Sequence, residues 1–341
     1  MTERVGLFSG DSAEWDAFAR SRRGFTHFHL HGWQSVMERV FGHECIYLGA
    51  RDHANRLTGI LPLVRVRSLV FGHFLVSMPF VNYGGPLGDD EAVVALVHRA
   101  AELARATGVG LLELRSPQVL PLGLDASHRK ITVLLDLPAS AGALLKSFDA
   151  KVRSQVRRPQ KEGVEVRFGA DQVDPFFEVF SRHMRDLGTP AQPRRLFATI
   201  AETFGEEAWF GCAYLNGRAI AGGCGFRWGG EFEMTWASSL RAYNRIAANM
   251  LLYWSFMERA IAEGVAVFNF GRCSPGSGTH RFKQQWGGRD VPLWWYHPVQ
   301  SGMTATPSPS DSTYAWGPKL WRRLPASFTS TLGPRIVRYI P

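Results

Sequence analysis

The most orderly cations of this 341-residue chain lie in Lys151-Val-Arg-Ser-Gln-Val-Arg-Arg-Pro-Gln-Lys161. Arg153, Arg157 and Lys161 recur every fourth residue, which places them on one face of a helix. Such a stripe can track phosphates. A plain solvated basic helix is the alternative, and Pro159 threatens to interrupt it. Arg281 and Lys283 stand two residues apart in Arg-Phe-Lys-Gln-Gln-Trp-Gly287. On a helix they point apart, whereas in irregular chain both reach one phosphate. Arg185 and Asp186 adjoin a Gly188 and Pro190 turn, which suits either a cleft rim or an exposed ion pair. Tyr243 and Asn249 flank the start of a long helix expected over Asn244–Glu263, where free backbone N–H groups meet a carbonyl or phosphate. Asn82 and Tyr83 precede Gly84 and Gly85, which permit close backbone approach, as in an acceptor-binding loop or a structural turn.

Cations and hydrogen-bond donors of this kind suit contact with phosphates or carbonyl groups. Attack of an amine on an ester or thioester needs a deprotonated nucleophile, alignment and a stabilised oxyanion. A fixed cation near the carbonyl suffices, without a covalent intermediate or a metal. Other chemistries lack their parts, since the chain has no GxSxG elbow, no HExxH and no Walker loop. His27, His29 and His31 alternate and on a strand would share one face, but Phe25, Phe28 and Trp33 around them favour an ordinary domain surface, and no metal is expected. Cys45, Cys212, Cys224 and Cys273 form no CxxC pair and read as reduced thiols. A net charge of +9 favours phosphate-rich partners, whether RNA, nucleotide sugars, lipid pyrophosphates or an anionic membrane face.

The elements that must hold these residues are repeated. Glu102-Leu-Ala-Arg-Ala-Thr-Gly-Val-Gly-Leu-Leu-Glu-Leu-Arg115 echoes Glu258-Arg-Ala-Ile-Ala-Glu-Gly-Val-Ala-Val-Phe-Asn-Phe-Gly271. Each copy reads as a helix end, a glycine stop at Gly108 or Gly264, and a buried strand. Glu113 and Asn269 fall at equivalent positions. Upstream of each copy lies a hairpin, one turning through Asn55 and the other at Asn216-Gly217. Length and repetition predict two α+β domains of mixed α/β layers, one over residues 1–139 and one over 140–300. Ser301–Ser312 is rich in Ser, Thr and Pro and reads as a linker. Tyr314–Pro341 mixes Trp316, Leu320, Trp321 and Leu324 with Lys319, Arg322 and Arg323, so it either lies on a membrane or packs back on the N-terminal domain. The polar start and the lack of a run of about 18 apolar residues predict a cytoplasmic protein.

Four blocks, Pro79-Phe-Val-Asn-Tyr-Gly-Gly85, Met184-Arg-Asp-Leu-Gly-Thr-Pro190, Trp236-Ala-Ser-Ser-Leu-Arg-Ala-Tyr-Asn244 and Gly278-Thr-His-Arg-Phe-Lys-Gln-Gln-Trp-Gly287, resemble FemAB-like proteins associated with exosortase/PEP-CTERM systems. The similarity runs from about Trp33 to the chain end. It implies two tandem GNAT-like (acyl-CoA N-acyltransferase) domains with a central cleft. It also implies transfer of an acyl or aminoacyl group to an amine or hydroxyl of an exopolysaccharide or cell-envelope precursor. The implied donor is aminoacyl-tRNA or acyl-CoA as co-substrate, with no cofactor held permanently. The implied partners are a phosphate-bearing precursor, tRNA and the inner membrane periphery, and not DNA. Lys283 matches the Phe-Lys element of the family, where the lysine faces the transfer site as oxyanion or phosphate stabiliser. One departure concerns acyl-CoA: GNAT enzymes grip its pyrophosphate with Q/R-x-x-G-x-G/A, whereas Arg241–Asn249 contains no glycine. A non-catalytic GNAT-fold scaffold holding a nucleotide sugar or lipid-linked glycan is the alternative function, and an RNA-binding protein a third.

Overall fold

A computed structural model describes residues 4–301 and 320–341. Among these, residues 4–130, 292–301 and 337–341 form one unit and residues 131–291 and 320–336 a second. The sheet of the first unit is ordered β1 (Arg4–Leu7), β2 (Glu44–Arg51), β3 (Leu57–Ser68), β4 (Gly72–Val76), β6 (Leu111–Ser116) and β14 (Trp294–Gln300), with β5 (Leu87–Gly88) beside β3. Only β4 and β6 are parallel; the other pairs are antiparallel. Helices α1 (Ser12–Ser21), α2 (Gly32–Val36) and α3 (Asp90–Ala106) accompany it. Ala92, Leu96, Ala100 and Ala104 recur every four residues along α3, and this stripe buries against Leu48, Leu61, Leu75 and Leu112 of the sheet.

The second unit repeats the plan. Its sheet runs β13 (Arg289–Pro292), β7 (Ile131–Asp136), β12 (Val267–Cys273), β11 (Glu231–Ser239), β10 (Arg218–Trp228), β9 (Ala208–Leu215) and β8 (Glu165–Phe168). Again one central pair, β11 and β12, is parallel. The helices are α4 (Ala141–Ser147), α5 (Ala150–Lys161), α6 (Val173–Leu187), α7 (Arg194–Phe204), α8 (Ala248–Ala262) and α9 (Gly278–Gln284). Met250, Leu251, Trp254 and Met257 of α8 are core residues.

The repeated glycine stops have one cause. Gly108 and Gly264 adopt φ of +66° and +73°. After them Val109 N–H donates to Ala104 O and Val265 N–H to Ala260 O, each at 2.9 Å, which is the six-to-one bond of a Schellman cap. The second hairpin turns, as expected, on Asn216 and Gly217, both at positive φ, the backbone a type I′ turn requires.

Three boundaries differ from the sequence reading. Residues 131–136, inside the domain expected over 1–139, form a strand that pairs with β12 in the second sheet, and residues 294–300, inside the domain expected over 140–300, form a strand that pairs with β6 in the first. Burial decides this: Ile131 and Val133 belong to the second core, Tyr296 and Val299 to the first. The helix expected over Asn244–Glu263 begins only at Ala248, because Arg241–Ile246 forms a 3-10 turn and Ala247 turns left-handed at φ +60°. The tail divides. Arg322 donates to Leu187 O at 3.0 Å, and Trp321 is buried beside Gly333 of α10 (Ala326–Val337), all within the second unit. Only the last five residues join the first unit, where His43 Nε2 donates to Arg338 O at 2.6 Å and the Arg338 guanidinium reaches Phe41 O. The expected linker beyond Ser301, with Tyr314, Trp316 and Lys319, lies outside the described residues. Among the described residues no helix is long and apolar enough to cross a membrane.

Candidate active site

The parallel strands β11 and β12 form a fork. They pair only at Glu231/Val267, Phe232/Phe268 and Glu233/Asn269, although β11 continues to Ser239 and β12 to Cys273. Both strands are irregular beside the fork: β11 shifts register against β10 between Cys224 and Gly225, and β12 against β7 between Asn269 and Arg272, where Gly271 has φ +72°. Bulges sharpen strand twist, and here they carry the two strands apart.

A buried polar cluster sits at the root of the fork. Asn269 Nδ2 donates to Glu231 at 2.7 Å and to Glu233 at 3.3 Å, while its Oδ1 accepts from the Thr132 hydroxyl at 2.5 Å and from Gly271 N–H at 2.8 Å. The Thr235 hydroxyl donates to Glu233 at 3.1 Å. Burial raises the pKa of Glu231, partly offset by the Asn269 amide. Sequence comparison of the repeats marked Asn269 but not its two carboxylate partners, which lie on another strand.

Lys283 closes this cluster. It is 3% exposed, and its ammonium donates to Gly271 O at 2.6 Å and Arg272 O at 3.1 Å, which leaves one of its three N–H groups beyond these two bonds. Burial brings its pKa down to about 8, against the opposing pull of Cys273 and Glu233. The side chain is thus held inside the fold rather than solvated on the helix surface. Helix α9 carries Lys283 inward because its start is tied twice. The Ser277 hydroxyl caps His280 N–H at 3.1 Å, and His280 accepts Gly276 N–H at Nδ1 (3.0 Å), so Nε2 bears the proton and donates to Asp290 at 2.9 Å. This His–Asp pair was missed from sequence, because nothing in a ten-residue separation marks the strand that returns to the helix.

The remaining candidates disperse. Arg281 is exposed and donates to Gly276 O at 2.8 Å, since α9 is helical and turns it away from Lys283. The two therefore do not converge as an irregular segment would allow. The expected stripe is helical throughout despite Pro159. Arg153, Arg157 and Lys161, with Ala150, Ser154 and Arg158, line a groove of about 470 Å³. Arg153 is half-buried and spends a donor on Phe148 O, whereas Arg157 and Lys161 are exposed. Arg185 and Asp186 at the end of α6 bond each other at 2.6 Å, the ion-pair alternative, ahead of Gly188 at φ +82°. Tyr243 is half-buried in the 3-10 turn, with the Arg218 guanidinium 5.9 Å from its ring, and Asn249 occupies the first turn of α8.

Two expectations for the first unit need correction. Asn82 and Tyr83 are 6% and 1% exposed, with the Tyr83 ring edge-on to Phe28, so the structural turn replaces the open acceptor loop. The alternating histidines lie on no strand: His27–His29 is a 3-10 turn. His29 bonds Gly85 O at 3.1 Å and burial pushes its pKa down to about 4. His31 packs edge-on against Trp15 and Tyr47. Among the described residues no group of three or more His, Cys, Asp or Glu side chains is placed to hold a metal ion.

Residues 146–284 match the acetyltransferase (GNAT) domain family. No curated protein matches the sequence. Among solved structures, FemX is similar with a TM-score of 0.68 at 14% identity, over 85% of this chain and 97% of that one. The C-terminal domain (DUF2156) of a putative lysylphosphatidylglycerol synthetase from Agrobacterium fabrum gives 0.56 at 14% identity, over 84% and 91%. A tandem GNAT protein from the clavulanic acid biosynthesis pathway gives 0.51 at 13% identity, over 88% and 100%. The fold is thus α+β with two mixed sheets, as in tandem GNAT structures, and the family match lies within the unit that holds the β11/β12 fork.

Proposed function

We propose that this chain transfers an acyl or aminoacyl group from an activated donor to an amine or hydroxyl of a phosphate-bearing exopolysaccharide or cell-envelope precursor, as the resemblance to exosortase-associated FemAB-like proteins implies. The observation that carries this reading is Lys283, a buried ammonium fastened by two backbone carbonyls at the root of the fork. In the proposed reaction its third N–H meets the carbonyl oxygen of the acyl group as the acceptor attacks. The new C–N or C–O bond forms, the oxyanion collapses, and the C–O bond of an aminoacyl ester or C–S bond of a thioester breaks. The proton released by the acceptor passes to the leaving oxygen or sulfur. Preorganisation favours this role, because a cation already held by the protein needs no reorientation as charge develops.

The groove bearing Arg157 and Lys161 suits phosphate groups of a substrate. The lack of glycine across Arg241–Asn249 favours aminoacyl-tRNA over acyl-CoA as donor. The test is turnover with purified protein, aminoacyl-tRNA or acyl-CoA, and envelope-precursor extracts, followed by mass spectrometry of the acceptor. Transfer that disappears in Lys283→Met with the fold intact supports the reading. Retention of a nucleotide sugar or lipid-linked glycan without transfer from either donor would replace it with the scaffold alternative.

A further inference from the structure

Hairpins at the same place in the two sheets end differently. In the second unit β10 and β11 pair up to Trp228/Glu231 and turn through Gly229-Gly230, with no side chain at the tip. In the first unit β3 and β4 pair up to Ser68/Gly72 and turn through Leu69-Val70-Phe71. Leu69 is 108% exposed and Val70 76%, so neither touches a core. The turn itself is built, since the Ser68 hydroxyl accepts from both Val70 N–H (3.2 Å) and Phe71 N–H (3.0 Å). One step down the hairpin Arg67 is exposed opposite His73, while Arg65 is tied to Glu44 at 2.9 Å.

Two aliphatic side chains on a fixed tip, with a cation just behind them, form a convex and narrow apolar point. A protein partner would meet a broader patch, whereas a bilayer accepts a point that reaches past its headgroups. The net charge of +9 draws such a tip toward an anionic surface. We propose that the Ser68–Gly72 hairpin inserts Leu69 and Val70 into the interfacial layer of an anionic lipid bilayer, with Arg67 at the level of the lipid phosphates. This is independent of the transfer chemistry at the fork and of the tail that the sequence singled out.

The test is flotation of the full chain with phosphatidylcholine vesicles containing about a third phosphatidylglycerol, against pure phosphatidylcholine. The protein is expected on the anionic vesicles only. Leu69→Asp/Val70→Asp and the milder Leu69→Ser/Val70→Ser should each lower the partition coefficient about tenfold or more, with circular dichroism and melting unchanged because both positions are exposed. Leu69→Trp should show blue-shifted emission on anionic vesicles, reversed by salt. The proposal is overturned if wild type floats with neither vesicle, if the double variants float as well as wild type, or if only Leu320→Ser/Phe328→Ser abolishes flotation, which would assign contact to the tail.

Discussion

The forks of the two sheets begin alike and end differently. In the first unit β4 and β6 also pair over only three residues, Phe74/Leu111 to Val76/Glu113. The chain then fills its own wedge: Ser77 N–H donates to Glu113 O at 2.9 Å, Arg115 N–H to the Ser77 hydroxyl at 2.8 Å, and Gly84 N–H to Arg115 O at 3.1 Å. A Cβ on Gly85 would stand 3.0 Å from Arg115 O, so a side chain there would press on the backbone that forms the seal. The buried Glu113 carboxylate is held between Arg115 at 2.7 Å and His297 at 3.1 Å, with Trp295 over the guanidinium. In the second unit the strands run on apart, and Gly271 O, the equivalent of Arg115 O, accepts from the Lys283 ammonium instead. Duplicated forks thus separate a copy whose buried carboxylate is paired with Arg115 and His297 from a copy whose carbonyls bind a buried lysine ammonium.

This contrast can be broken from either side. The largest effect is expected from Arg115→Met, which removes the guanidinium partner of the buried Glu113 and should cost about 3–5 kcal/mol in denaturant unfolding. Glu113 also predicts an acid limb. Burial alone would raise its pKa, but Arg115 and His297 outweigh this and bring it from 4.5 to about 2. A depressed carboxylate stabilises the fold above the unfolded pKa, so that contribution is lost as pH falls from 4.5 toward 2, and Glu113→Gln should flatten the melting profile in that window.

Next in size, Lys283→Met should lower kcat about 10²–10³-fold while circular dichroism stays native. Because burial sets the Lys283 pKa near 8, turnover should fall as pH rises through that value, and Lys283→Arg should lack this limb. For stability the sign is opposite. A lysine depressed from 10.5 binds fewer protons folded than unfolded between about 8 and 10.5, so its share of stability rises with pH there.

Arg157→Glu/Lys161→Glu should raise KM for the phosphate-bearing substrate about tenfold and reduce its salt dependence, with kcat little changed. Smallest of all, Ser77→Ala should cost about 1 kcal/mol of stability, since Arg115 N–H loses its acceptor, and leave turnover as in wild type. Loss of turnover from Ser77→Ala, or none from Lys283→Met, would exchange the roles assigned to the two forks.

Much of this was legible in the residues. Gly108 and Gly264 announced equivalent caps, Asn216-Gly217 announced its hairpin, and the basic stripe does line one groove. Lys283 was singled out, yet its two carbonyl partners depend on a bulge at Gly271 that no spacing encodes. Arg281 was ambiguous because a two-residue separation means opposite things in helix and loop. Asn82 and Tyr83 do lie in a loop, but it is a buried one, with the Tyr83 ring packed against Phe28. Strands 131–136 and 294–300 were assigned to the wrong sheets because an apolar strand carries no mark of which neighbour it will pair with.

That exchange of strands bears on synthesis. As the ribosome releases the chain, β6 has emerged long before its antiparallel neighbour, which ends at Gln300. Until then the first sheet has an open border beside Leu112 and Leu114, a template for unwanted pairing. A fragment cut near residue 139 would keep that border permanently and also carry β7 away from its own sheet, so neither half can be expressed intact by a single cut.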